Sequence, residues 1–201
     1  LERVIETLEG SKLLFLDSKK EIQARELLSR VEESGDTVGG AFEIVVAPVP
    51  AGLGSPQPLA TRLDSRLAST VMGIPGVRAV AIGEAFGADQ LQGREFHSPL
   101  HFTPAKGYYH RRNTAGGVEG GMTNGEPVVL RAVVKPLASL GNPLESASLK
   151  DGREGLAPAV RSDICAVAPA AVVARGLVAY VLADAYLEHL EGEDIESIRS
   201  D

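Results

Sequence analysis

The sequence is poor in several residues that would point to particular functions. It has no tryptophan, one cysteine and 4% aromatic residues in a chain of 201. A single cysteine excludes an internal disulfide framework and a Cys-based zinc site. So few aromatics argue against stacking platforms for single-stranded nucleic acid and against aromatic carbohydrate clefts. Basic charge is also short, 20 Lys and Arg against 27 Asp and Glu, for a net charge of −7. An acidic chain is a poor match to duplex DNA or anionic lipid, so neither a nucleic-acid nor a membrane partner is expected. No initiator methionine opens the chain; it begins on Leu1 in charged, helix-compatible sequence, which suggests a piece of a longer polypeptide. No basic-then-apolar leader is visible, and a cytoplasmic location is the expectation. Phosphate-loop, dinucleotide-fingerprint and Gly-x-Ser-x-Gly motifs are all missing.

What is present reads as α+β, with largely antiparallel strands fed by Gly-Gly and Pro-Gly turns. Ser18-Lys19-Lys20-Glu21 fits a capping box. Ala24, Leu27, Leu28 and Val31 then set one apolar stripe on a helix that Gly35 stops. Ala41 to Val49 reads as a strand, and residues 48–56, with three prolines and two glycines, as irregular. A short helix carries Leu63, Leu67 and Val71 on one face, and a strand from Val77 to Ile82 follows Pro75-Gly76. Residues 83–112 show no clean periodicity and read as a long loop. A glycine-rich stretch from Ala115 to Gly125 precedes a strand, Val128 to Lys135, and residues 141–160 read as an exposed excursion. Pro169 to Leu190 reads as a buried helix, because Arg175 and Asp184 would be costly in lipid. The acidic tail after Glu191 is expected to fray.

Charge is uneven. Residues 106–163 hold eight basic and six acidic side chains, a local +2 against −9 for the rest. A basic island in an acidic chain suits a small anionic ligand, although a solvated face with ordinary ion pairs reads the same way. The glycine-rich stretch fits either turns or close approach of backbone to a ligand. Arg161-Ser162-Asp163 is either an inert pair before the last helix or an anion-binding arginine beside a carboxylate available for proton transfer. Cys165 reads as packing. His97, His101 and His110 lack a helix to align them and an acid or cysteine to complete a set, so no metal site is expected.

Several motifs, in order along nearly the whole chain, resemble chorismate synthases. They are Gly35-Asp36-Thr37-Val38-Gly39-Gly40, Pro50-Ala51-Gly52-Leu53-Gly54, Leu63-Asp64-Ser65-Arg66-Leu67-Ala68 and the run Arg112 to Pro127. Lys135-Pro136-Leu137-Ala138-Ser139 and Arg161-Ser162-Asp163-Ile164-Cys165-Ala166-Val167 complete them. The match is to the C-terminal half or slightly more of the family's chain. The half with the Gly-Glu-Ser-His-Gly motif and a second active-site histidine is absent, and His97, His101, His110 and His189 do not replace it.

The resemblance implies a β-α-β sandwich and a lyase of the shikimate pathway. That enzyme converts 5-enolpyruvylshikimate 3-phosphate to chorismate and phosphate by 1,4-anti elimination, using reduced FMN, in a homotetramer. NADPH is implied only if the full-length protein reduces its own flavin. Carried onto this sequence, Pro75, Gly76, Gly120, Lys135, Pro136, Leu137, Ala138, Ser139 and Arg161 fall at flavin contacts. Asp163 falls at the position whose carboxylate works with flavin N5 in taking up the C6 proton. Two departures stand out: Arg175 where the family usually has Glu, and Pro75-Gly76 where Asn-Ala is usual. The alternative is a non-catalytic fragment that only binds flavin or assembles with partner subunits, and the isolated chain is expected to be inactive.

Overall fold

The computed structural model describes residues 2–190. The acidic tail read from Glu191 onward lies outside them. The chain divides into two compact units, Leu1–Gly40 with Val134–Pro169, and Ala41–Val133 with Ala170–Asp201.

The first unit opens with helices α1 (Glu2–Glu9) and α2 (Ser18–Glu33). The predicted start of α2 is right, but its cap is not Ser18. The Asp17 carboxylate takes the N-terminal amides, accepting from Lys19 N at 2.8 Å, and Ser18 is already helical. Ser34 ends α2 and Gly35 follows at φ +68°. The apolar stripe of α2 is only partly covered, with Leu27 exposed and no residue of the helix fully buried. Residues 141–160 are an exposed excursion built on a hairpin, β8 (Glu145–Ala147) antiparallel to β9 (Glu154–Leu156).

The second unit is organised on a three-stranded sheet in the order β1-β7-β2, with β1 Gly40–Val46, β2 Val77–Ile82 and β7 Val128–Val134. Strand β1 stops three residues short of its expected end. Along β7, Val128, Leu130, Ala132 and Val134 are all buried, the period-two pattern of a strand with one face in a core. Helix α3 (Leu63–Met72) packs on β2 and buries Leu63, Leu67 and Val71. Helix α5 (Val167–His189) buries Ala170, Ala174, Val178, Val181, Leu182 and Ala185. Its opposite face leaves Val172, Val173, Tyr180 and Leu187 exposed, so the expectation of a fully buried helix holds for one stripe only. Arg66 of α3 ties the two helices together, pairing with Asp184 and, at 2.7 Å, with Glu188. Arg175 lies on the exposed side, which meets the requirement that a cation on an apolar helix reach solvent.

Residues 83–112 are not the loop expected. They hold a 3₁₀ turn (Ala88–Gln90), a single helical turn α4 (Gly93–Phe96) and an antiparallel hairpin, β3 (Leu100–Thr103) with β4 (Gly107–His110). The glycine-rich stretch forms a second, very short hairpin, β5 (Val118–Glu119) with β6 (Met122–Thr123). Helices with antiparallel hairpins make the chain α+β.

Candidate functional site

The candidate residues fall in both units. In the first, two segments carry most of them, Lys135–Ser139 after β7 and Arg161–Asp163 before α5. Between them runs the Gly35–Gly40 motif. Thr37, buried, donates its hydroxyl to the carbonyl of Leu137 at 2.6 Å, and its own amide is held by Asp36 at 2.7 Å. The next amide, Val38 N, donates to the carbonyl of Ile164 at 2.9 Å. Successive residues of one connecting segment thus bond to Lys135–Ser139 and to Ile164, the residue after Arg161–Asp163. Gly39 is required here: a Cβ on it would stand 2.3 Å from the carbonyl oxygen of Val134. The two segments also meet directly, because the Ser162 hydroxyl donates to the carbonyl of Ser139 at 2.7 Å.

This framework is pinned through backbone carbonyls, which leaves the charged side chains available. Arg161 and Asp163 are exposed and Lys135 is half-buried. Among the described residues none of the three takes part in a salt bridge, and the Lys135 ammonium reaches only the carbonyl of Pro136, at 3.2 Å. Two cations and a carboxylate on adjoining, rigidly joined segments can hold an anion and move a proton beside it.

In the second unit Gly120 and Gly121 form the two-residue turn of the β5–β6 hairpin, at φ +60° and +89°. The turn is anchored by two other motifs. Thr123, buried, donates to the carbonyl of Pro50 at 2.6 Å and accepts from Leu53 N at 2.9 Å. The carbonyl of Gly121 accepts from Leu63 N at 2.9 Å. The two glycines then differ sharply. A Cβ on Gly121 would lie 2.6 Å from the carbonyl of Ser55, whereas one on Gly120 would meet nothing within 4 Å. Gly121 is therefore a packing glycine, and Gly120 offers open space to a flat ligand. The turn borders a cavity of about 360 Å³ whose lining includes Asp64, His97, His110, Arg112 and Glu119.

Pro75 and Gly76 are not brought to that turn. They lie in the connection from α3 to β2, where Val77 N donates to the carbonyl of Ile74 at 3.0 Å. Gly121 is bonded at the first residue of α3, and Pro75-Gly76 follows its last turn. Ten residues of helix separate the two places, roughly 15 Å.

Cofactor requirements fit what is present: an uncrowded glycine at a turn, and cations without salt-bridge partners among the described residues. Sequence reasoning missed Thr37 and Thr123 as the hydroxyls that fix the framework. It also missed a pairing of His110 with Glu119, whose Nε2 and Oε2 stand 3.8 Å apart. Both threonines lay within quoted motifs, but their partners are distant in sequence.

Residues 2–187 match the family profile described as chorismate synthase. The chain is 40% identical over 200 residues to the chorismate synthase of Desulforamulus reducens, covering 100% of this chain and 52% of the relative. It is 44% identical over 178 residues to that of Moorella thermoacetica, covering 87% and 46%. A solved crystal structure of a chorismate synthase superposes with a TM-score of 0.82 at 32% identity, covering 100% of this chain and 52% of the other. The chain spans about half the length of the curated relatives it matches.

Proposed function

The chain belongs to the chorismate synthase family, and on that premise we propose that it supplies the C-terminal half of an enzyme that forms chorismate. The reaction is 1,4-anti elimination of phosphate from 5-enolpyruvylshikimate 3-phosphate. The observation that carries the reading is the joining of the Lys135–Ser139 and Arg161–Asp163 segments through Thr37, Val38 and Ser162. That framework holds the backbones that carry the charged side chains in fixed relation, which is the protein's part in a reaction whose difficult chemistry belongs to a cofactor.

Reduced FMN, when bound, supplies electron density that assists departure of the phosphate, with no net redox change. Lys135 and Arg161 provide donors to the anionic groups of flavin and substrate. Pro136, Leu137, Ala138 and Ser139 would be flavin contacts carried by the first unit, and Gly120, uncrowded at its turn, one carried by the second. The Asp163 carboxylate takes up the proton lost at C6. Pro75-Gly76, about a helix length from Gly120, serves a separate flavin contact. The same reading takes the full-length protein to be a cytoplasmic homotetramer.

The test is chorismate formation from 5-enolpyruvylshikimate 3-phosphate with reduced FMN, under anaerobic conditions. A full-length chain that contains these 201 residues turns over, and the 201 residues alone do not. Robust turnover by the isolated chain would show that the family's other half is dispensable.

A further inference from the structure

His110 ends β4, with its side chain only 14% exposed. Its Nδ1 lies 2.9 Å from the carbonyl oxygen of Ser98. A carbonyl only accepts, so Nδ1 carries the proton in either charge state, and Nε2 is the atom that gains or loses one. Nε2 faces Oε2 of Glu119 at 3.8 Å; when neutral it has no proton to donate to the carboxylate, and when protonated it is within reach of an ion pair.

Three more bonds close a ring. Asn124 Nδ2 donates to the same Glu119 oxygen at 2.8 Å, and Glu126 N donates to Asn124 Oδ1 at 3.1 Å. His110 N in turn donates to Glu126 Oε1 at 2.7 Å. The ring joins β4, β5, the segment after β6 and the approach to β7, and Glu119 immediately precedes Gly120. Asp64, His97 and Arg112 border the same cavity. Asp64 is engaged by Arg62, and Arg112 reaches the carbonyl of His97 at 3.5 Å.

We propose that His110 is a positioning residue for the Gly120–Gly121 turn, drawing Glu119 toward it when Nε2 is protonated and so setting the turn according to charge. With neutral imidazole, Asn124 alone holds the Glu119 carboxylate. Protonation adds an ion pair on the same oxygen and tightens the hairpin base. The consequence for ligand binding rests on the flavin reading of Gly120, whereas the geometry rests only on the ring.

The experiment is amide NMR of the full-length protein that contains this chain, labelled with ¹⁵N-glycine and ring-labelled histidine, across about pH 5 to 8, the range in which imidazole ordinarily changes charge. FMN titrations accompany it at both ends of that range. In the unaltered chain the Gly120 and Gly121 amide resonances move in step with the His110 ring. His110→Gln, which keeps a donor near the Nε2 position and cannot titrate, removes that movement. Glu119→Gln, at a half-exposed side chain, leaves the His110 ring titrating while the turn amides stop following it. Turn amides that stay still in the unaltered chain, or that follow pH equally in both variants, overturn the proposal. A turn that follows His110 with no FMN binding leaves the positioning role standing and sinks the flavin reading of Gly120. FMN binding with a turn indifferent to His110 does the reverse.

Discussion

At the scale of single residues, the Gly120–Gly121 turn separates an open glycine from a packed one. Both have positive φ, but only Gly121 is hemmed in, by the Ser55 carbonyl and the Arg62 side chain. Gly120→Ala therefore costs about 1 kcal/mol of stability, the penalty for a Cβ in the left-handed region. In a full-length chain it should nevertheless weaken flavin binding, because the methyl occupies the space proposed for the ring. Gly121→Ala should lower the melting temperature much further. Thermal melts with flavin titrations check both, and equal destabilisation would show that the open space at Gly120 is not what distinguishes it. These roles were only half legible in the sequence. The run Ala115 to Gly125 announced turns, but which glycine faces open space depends on where Ser55 and Arg62 arrive.

Among the elements, α2 shows how local sequence can place a helix and misassign its cap. Asp17 and Ser18 are both good N-caps, and nothing in the adjacent residues decides between them. Glu21, read as the capping-box partner of Ser18, instead accepts from Arg25 at 2.5 Å. The Arg25 hydrogen bond is the main cause that holds its carboxyl below the usual glutamate range, with help from Ser11. A folded-state pKa below the unfolded value contributes stability above the unfolded pKa, and that contribution is lost as pH falls through the folded one. Arg25→Ala should thus raise the Glu21 pKa and leave less of α2's stability to lose on acidification. Carboxyl ¹³C titration, with hydrogen exchange of the α2 amides, measures this. An unmoved Glu21 titration would contradict the assignment. The β3–β4 hairpin was missed for another physical reason. Leu100 and Phe102 do alternate with His101 and Thr103, but the apolar side is the exposed one, and strands of four residues carry too short a pattern to stand out. Strand β2 and helix α3, which do bury one face, were placed correctly.

For the whole molecule, fold class and motif order were readable, and the division into two units was not. Each unit is assembled from stretches far apart in the chain, which depends on non-local pairing that periodicity does not encode. The same limit applied to the candidate site. Lys135–Ser139 and Arg161–Asp163 were identified as segments by resemblance, but their joining through Thr37 and Val38 appears only in the fold. We propose that this framework presents Asp163 as the carboxylate that takes part in proton uptake in a chorismate-forming reaction. Turnover of Asp163→Asn in a full-length chain that contains these residues decides the matter. Asparagine keeps the shape and an acceptor oxygen but cannot take up the proton. The expected result is a fall in kcat of about 100-fold or more, with FMN affinity nearly unchanged. Undiminished kcat with Asp163→Asn would remove Asp163 from the chemistry and contradict the account.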